Sequence, residues 1–235
     1  MMAWQMMTWT GGMNYRSVIV ARIVPGSEDK VAEVFAHNDR TTRPQDFGVI
    51  GRALYSLDDL YVHVIERNVD PKTSLSKARG LPTFKQIGEA IAPYVTPYSK
   101  NWKVPADAVS KEFYNWVPAT KAAPGPTFQT VIVARIKPGA EPDVARIFGE
   151  SDAGPLPVEM GVAGRWLYSL EDVYLHLMER TDASLARAVQ DNHGKPAFAK
   201  IVDDLSPFIS AYNPQSWRSP VDAVAKEFYR WRVDG

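Results

Sequence analysis

The chain contains the same block of sequence twice, at an offset of 113 positions. Residues 17–67 align with residues 130–180 without a gap, and 27 of the 51 paired positions are identical. Beyond this block the spacing shifts by one or two residues, but the segments KEFYNW and KEFYRW keep the ends of the two copies in step. Two homologous units of about 100 residues are therefore predicted, each of ordinary single-domain size.

The repeat sets the predicted boundaries of the chain. They are an N-terminal arm at 1–14, a first domain at 15–117, a Pro- and Ala-rich linker at 118–127 and a second domain at 128–235. The arm is rich in Met and Trp, but its apolar stretch precedes the first basic residue, Arg16. A signal peptide has the opposite order, and the stretch is too short to span a bilayer. We interpret it as a mobile arm or oligomer contact, and expect a cytoplasmic protein.

Composition narrows the classes of function. Lys plus Arg and Asp plus Glu both number 27, so no net field favours nucleic acid or an anionic membrane as a partner. The absence of cysteine excludes a disulfide framework, a thiolate nucleophile and a thiolate metal site. There is no Gly-rich phosphate loop and no metal-ligand spacing. The sequence predicts a chemistry that uses neither cofactor nor metal.

Each copy has the residue pattern of a βαββαβ unit. In the first copy the predicted strands are at 18–23, 49–56, 60–67 and 111–117 and the helices at 28–37 and 83–94, with counterparts in the second copy. This order is that of the ferredoxin-like fold, an α+β class with an antiparallel sheet and helices on one face. Because the other face needs cover, we predict that the two copies pack sheet to sheet as a pseudo-dimeric α/β barrel.

Polar residues cluster on the predicted hairpin. If its turn is centred on Leu57-Asp58, Arg52 lies opposite His63 and shares a face with Tyr61, and Arg165, Tyr174 and His176 repeat the arrangement. The other face is almost wholly apolar and is predicted to lie beneath the helices. Unpaired charge is costly inside a protein, so the Arg and His residues are predicted to line a binding cavity on the face away from the helices.

The ordered set of motifs in each copy resembles the tetracenomycin-type aromatic polyketide cyclase family. The motifs are the SVIVARIVPG strand, an Asp ending the first helix, P-x-x-x-G-V, R-x-L-Y, D-x-Y-x-H-x-x-E and a terminal K-E-F-Y-x-W. The resemblance covers both copies except the arm and linker. It implies a polyketide intermediate as the ligand and transient contact with polyketide synthase components. Whether the chain is a monomeric pseudo-dimer or a homodimer stays open.

Carried over residue by residue, the resemblance implies two sites. Their predicted catalytic residues are Asp39, Arg52 and His63 in the first copy and Asp152, Arg165 and His176 in the second. Some family members have a His immediately before the Asp, where this chain has Asn38 and Ser151. The predicted substrate-binding residues are Tyr61, Tyr174, Trp116 and Trp231.

These residue types suit ring closure in a poly-β-ketone. An imidazole can move an acidic α-proton, and a guanidinium can stabilise the enolate that forms. Two alternatives stay open: a cofactor-independent monooxygenase of the same fold that forms a quinone, and a non-catalytic polyketide-binding or chaperone-like subunit. Ala53 and Phe47 stand where the second copy has Trp166 and Met160, so the pockets are predicted to differ in shape. The second copy is predicted to perform most of the turnover, because its segment from Tyr212 to Trp231 is the more similar to the family's ending.

Overall fold

The computed structural model describes residues 15–71, 82–119, 127–182 and 184–233. The predicted N-terminal arm and the middle of the predicted linker lie outside these residues. The strands are β1 (Tyr15–Ile23), β2 (Val49–Leu57), β3 (Leu60–Arg67), β4 (Val95–Pro97), β5 (Lys111–Trp116), β6 (Phe128–Ile136), β7 (Val162–Leu170), β8 (Val173–Arg180), β9 (Ile209–Ala211) and β10 (Lys226–Arg232). The helices are α1 (Glu28–Thr41), α2 (Pro82–Ile91), α3 (Glu141–Asp152), α4 (Leu156–Glu159), α5 (Leu185–Asn192) and α6 (Pro196–Leu205).

These elements form two antiparallel five-stranded sheets. The strand orders are β10-β2-β3-β1-β4 and β5-β7-β8-β6-β9. The α+β class and the ferredoxin-like βαββαβ order of each repeat are thus confirmed. The identity of the last strand was predicted wrongly. The fourth strand of each ferredoxin-like unit is the short β4 or β9, next to β1 or β6, and the aromatic segments are additional edge strands.

The two repeats exchange these aromatic edge strands. β5, which ends the first repeat, pairs with β7 of the second, and β10, which ends the second, pairs with β2 of the first. One compact unit accordingly contains the first repeat as far as Ser110 together with the segment from Lys226 onward, and the other contains residues 111–225. The boundaries of the sequence repeats and of the compact units therefore do not coincide.

The hairpin turn lies one position later than predicted. Leu57 pairs with Leu60, and Asp58 in the turn has a φ of 51°. Leu54 is therefore opposite His63, whereas the predicted pairing had Arg52 there. Moving the turn by one position on both strands changes each partner by two residues, so every side chain keeps its face. Arg52 and His63 do share a face, as diagonal neighbours.

That shared face is the one covered by helices, so the predicted face assignment is wrong. Leu54 and Tyr61 pack with Val31 and Phe35 of α1 in one buried cluster, and the second unit has the same arrangement. The opposite face, which includes Val62, is buried as well. Apolar content therefore could not distinguish the two faces.

The strand exchange predicts which engineered cysteines form a disulfide. Ser56 pairs with Lys226 across β2 and β10, and Cα atoms of such partners are about 4.5–5.5 Å apart, within disulfide range. The chain has no native cysteine. We expect a Ser56→Cys, Lys226→Cys chain to lose both free thiols on mild oxidation, as measured by maleimide labelling and mass spectrometry.

The matched control is Ser56→Cys with Lys111→Cys, the pair that would be adjacent if the first repeat closed its own sheet. It should keep both thiols in the monomer. Cross-linking of the control pair, with no cross-link in the first, would contradict the exchange.

Candidate functional site

In the first unit, α1 and β2 bring together an oppositely charged pair. Asp39 lies in the last turn of α1, four residues after Phe35 and hence on the same side of the helix. Its Oδ1 is 3.3 Å from Nη2 of Arg52, and the two side chains are only 1% and 9% exposed. The pair therefore joins the end of α1 to the sheet in a region from which water is excluded.

The exchanged strand completes the surroundings of Asp39. The hydroxyl of Tyr229 on β10 donates to Oδ2 of Asp39 at 2.8 Å, and Nδ2 of Asn38 donates to Oδ1 at 3.3 Å. Burial raises the pKa of Asp39, and Arg52 and these two donors oppose the rise. The carboxylate is thus held by three groups, one of which the chain supplies from its C-terminal strand.

Aromatic rings fix the orientation of the Arg and His. The rings of Phe35 and His63 meet edge to face with centroids 5.1 Å apart. The guanidinium of Arg52 lies 5.2 Å from the ring centroid of Phe35 and 6.0 Å from that of Trp231. Such contacts are favourable for a cation and restrict its rotation.

Three buried polar atoms beside this pair have no hydrogen-bond partner. They are Nε of Arg52, the hydroxyl of Tyr61 and Nε2 of His63. Nearly all buried polar groups in proteins are bonded, and an unsatisfied one costs about 1–3 kcal/mol. A cluster of three on one face is the arrangement expected of a site that binds an oxygen-rich ligand.

The same burial fixes the protonation of the two rings. Burial, together with Arg52 and Arg67, holds the pKa of His63 well below its usual 6.5. Burial raises the pKa of Tyr61. At neutral pH the imidazole is therefore neutral and can accept a proton, while the phenol stays protonated and can donate a hydrogen bond.

The second unit repeats the constellation. Asp152 Oδ1 is 3.3 Å from Arg165 Nη2, and Tyr114 donates to Asp152 Oδ2 at 2.7 Å. Phe148 lies 5.1 Å from His176 and 5.0 Å from Arg165. Burial again raises the pKa of Asp152 and lowers that of His176, where Arg165 adds to the effect. The atoms without a hydrogen-bond partner again include Arg Nε, Tyr hydroxyl and His Nε2, in Arg165, Tyr174 and His176, and here Oδ1 of Asp152 joins them.

The structure thus brings together the predicted Asp, Arg, Tyr and His of each copy. The two tryptophans are also adjacent to the sites, but the strand exchange reverses them. Trp116 of the first repeat lies 5.9 Å from Arg165, and Trp231 of the second lies beside Arg52.

Four site residues were missed by the sequence reasoning. They are the phenylalanines Phe35 and Phe148 and the tyrosines Tyr114 and Tyr229. The i, i+4 spacing from each Phe to its Asp was a usable signal. The Tyr of K-E-F-Y-x-W gave a weaker signal. It lies two residues before the Trp, so both side chains are on the same face of the strand.

A cleft of about 160 Å³ lies between α3 and α6. Ile147, Ser151, Lys200 and Ile201 are among the residues that line it. The lining includes neither Asp152 nor Arg165, so the cleft is separate from the second site.

Other kinds of site have less support. Among the described residues, no group of three or more His, Asp or Glu side chains is arranged to hold a metal ion. None of the helices in the described ranges is both long and apolar enough to cross a membrane.

The fold matches solved structures over nearly the whole chain. A putative monooxygenase from Fusobacterium nucleatum has a TM-score of 0.54 at 12% identity and covers 96% of this chain and 97% of its own. An anthrone oxidase-like protein has a TM-score of 0.52 at 10% identity and covers 94% of each chain. At these identities the likeness concerns the fold alone. It places the chain in the α+β class of dimeric α/β-barrel-like proteins.

Sequence comparison gives the family. The model of the polyketide synthesis cyclase family matches residues 15–117 and again residues 128–232. Tetracenomycin F2 cyclase of Streptomyces glaucescens is 38% identical over 104 residues, which are 44% of this chain and 95% of that protein. An uncharacterized protein of Streptomyces coelicolor is 48% identical over 103 residues, 43% of this chain and 92% of its own. The chain belongs to the polyketide synthesis cyclase family, as two copies in tandem.

The lowered imidazole pKa predicts a distinctive titration. By ¹H–¹³C NMR, the ring resonances of His63 and His176 should not change as the pH falls through 6.5, and should move only at lower pH. Because the unfolded chain takes up protons near pH 6.5 and the folded rings do not, stability should be full above that pH and fall as the pH drops below it. A His63 or His176 ring that titrates at 6.5 or above would contradict this.

The hydrogen bond from Tyr114 to Asp152 predicts a local effect of its removal. Tyr114→Phe leaves a buried carboxylate without a donor and should lower the free energy of unfolding by about 1.5–3 kcal/mol. It should shift the NMR signals of His176 and leave those of His63 in place, although Tyr114 belongs to the first repeat. Chemical denaturation and NMR measure both effects, and the exposed Tyr15→Phe is the control. A response at His63 instead of His176 would be inconsistent with the structure.

Proposed function

We propose that the chain closes rings in a poly-β-ketone intermediate by intramolecular aldol-type condensation that needs no cofactor. The observation that carries the proposal is the buried, unpartnered Nε2 of a neutral His on the same face as an unpartnered Arg Nε, repeated in both units. The 38% identity to a protein named tetracenomycin F2 cyclase supports an aromatic polyketide as the substrate class.

In the proposed reaction, Nε2 of the His removes a proton from a CH₂ group between two ketones. The resulting enolate oxygen accepts a hydrogen bond from Arg Nε, and the Tyr hydroxyl is available to a second oxygen of the substrate. Burial disfavours the isolated imidazolium, but the step creates an enolate beside it, so two opposite charges form together. The lowered His pKa of the empty site is therefore compatible with a base that works once substrate is bound.

The carbanion carbon then attacks a second ketone of the same chain. One carbon–carbon bond forms, the attacked carbonyl becomes an alkoxide, and the imidazolium returns its proton to that oxygen. Loss of water from the β-hydroxyketone then gives the conjugated, aromatising ring. No electrons are gained or lost overall, so the step requires no oxidant. Holding the two carbons together supplies part of the acceleration, because effective molarities in such reactions are large.

Asp39 and Asp152 have a positioning role in this proposal. Each forms an ion pair with its Arg and accepts a hydrogen bond from a Tyr hydroxyl. Neither carboxylate needs to reach the substrate. Each holds Arg Nη2, which leaves Nε for the enolate.

Replacement of the His residues tests the mechanism. His→Ala at the working site should lower turnover by about 10²–10⁴-fold, the usual contribution of a general base. The rate of the intact protein should lose its pH dependence above 6.5, because the ring is already neutral there. The measurement is product formation with a reconstituted minimal polyketide synthase, by mass spectrometry and NMR, for His63→Ala, His176→Ala and the double variant. The exposed His37→Ala is the matched control.

Arg52→Ala and Arg165→Ala should change which ring forms as well as the rate, and we expect the larger effect at Arg165. Equal losses at both would count against unequal sites. If the two double variants match the intact protein in rate and product, the chain is a polyketide-binding subunit. Stoichiometric oxygen consumption would instead identify a monooxygenase.

A further inference from the structure

A second cation is buried on the face of β8 that carries the site of the second unit. Side chains alternate along a strand, so Tyr174, His176, Met178 and Arg180 share a face. Met178 is the cross-strand partner of Arg165. Arg180 ends the row, roughly 13 Å along the strand from His176 at about 3.3 Å per residue.

Arg180 is fully buried and largely unsatisfied. Its relative exposure is 0%. Nη2 makes two long hydrogen bonds, to the backbone carbonyls of Met160 at 3.4 Å and Ser184 at 3.3 Å. Nε and Nη1 have no partner. No carboxylate of the described residues forms an ion pair with it, although Asp182 is close enough to influence it electrostatically.

A buried guanidinium without an ion-pair partner lowers the stability of the folded protein unless it has a function. Breaking a buried ion pair is strongly destabilising because it leaves such a charge uncompensated. The corresponding Arg67 in the first unit is better satisfied, since its Nη1 donates to the hydroxyl of Ser17 at 2.9 Å. The second unit has Thr130 at that position, and Nε and Nη1 of Arg180 have no hydrogen-bond partner.

Apolar side chains connect Arg180 to the site. Val162, its cross-strand partner, belongs to a cluster with Met178 and Leu185, against which Met160 and Trp116 pack. Trp116 in turn lies 5.9 Å from the guanidinium of Arg165. A cluster of packed apolar side chains therefore lies between Arg165 and Arg180, with a cation at each end.

We propose that Arg180 binds a carboxylate of the substrate, so that the second unit takes aromatic polyketide acids with the acid group at the end remote from Asp152. A guanidinium matches the planar geometry of a carboxylate and can donate to both oxygens. This inference rests on the proposed function and specifies its substrate class.

The two methionines of this cluster allow a local test. Met160 and Met178 are the only methionines after Met13, so methyl-¹³C labelling of the full chain reports on the Arg180 region of the second unit. Substitutions Met160→Leu and Met178→Leu assign the signals. The probes are 3-hydroxy-2-naphthoic acid, its uncharged amide, and 2-naphthol, which keeps only the phenol.

The acid should shift both methyl signals saturably and bind about tenfold or more tightly than the amide or the phenol, as expected for a charge-assisted contact. Arg180→Met should remove this preference, and Arg180→Lys should keep part of it. Arg187→Met, which removes an exposed cation from α5, should keep all of it.

Equal binding of the three probes by the intact chain would overturn the proposal, as would a preference that survives in Arg180→Met. If Arg180→Met fails to fold, the affinities of the intact chain and of Arg180→Lys for the three probes still test the proposal. A chain that closes rings without an acid preference refutes this inference alone. If the chain binds the acid preferentially but does not change the product ratio of the polyketide synthase, the proposed cyclase activity is refuted and the carboxylate site is not.

Discussion

The buried pair of arginine and aspartate is the interaction on which both units depend. It ties the end of a helix to the second strand of the sheet, with Nη2–Oδ1 distances of 3.3 Å in both units. Removing one partner of a buried pair typically costs about 3–5 kcal/mol, because the other charge stays behind unpaired. The hydroxyls of Tyr229 and Tyr114 bind the same carboxylates. The pair thereby fixes the helix end, the Arg fork and the edge strand together.

Burial of this arrangement strengthens the interactions between its charged and polar groups. The phenylalanine at the pair contacts the imidazole and the guanidinium of its own unit, so charge on one is felt strongly by the other. Interactions between charges are stronger where water cannot screen them. The imidazole is therefore kept neutral, and a developing enolate would encounter an Arg donor that no protein group already occupies. In the proposed mechanism, the buried charges that stabilise the fold are also the ones that act on the substrate.

Local patterns predicted much of this, because they are local properties. The repeat, the order of elements and the turn position to within one residue follow from hydrophobic periodicity and turn residues.

Two features could not be predicted in this way. Both faces of the sheet are buried, as Val62 and His63 illustrate, so hydrophobicity could not identify the helix-covered face. The edge strands KEFYNW and KEFYRW are nearly the same sequence, so pattern alone could not decide which sheet each one joins. Pairing of that kind depends on chain connectivity in three dimensions.

The exchanged strands also bear on how such a chain can evolve. In a pair of identical subunits, one codon specifies a residue in both sites, and a change that improves one alters the other. In the fused chain each codon is read once, so Tyr114 and Tyr229, or Arg67 and Arg180, can be selected independently. Deleting either half would remove an edge strand from the sheet that remains. With two copies in one chain, the two sites can diverge in sequence, although each sheet still needs an edge strand from the other repeat.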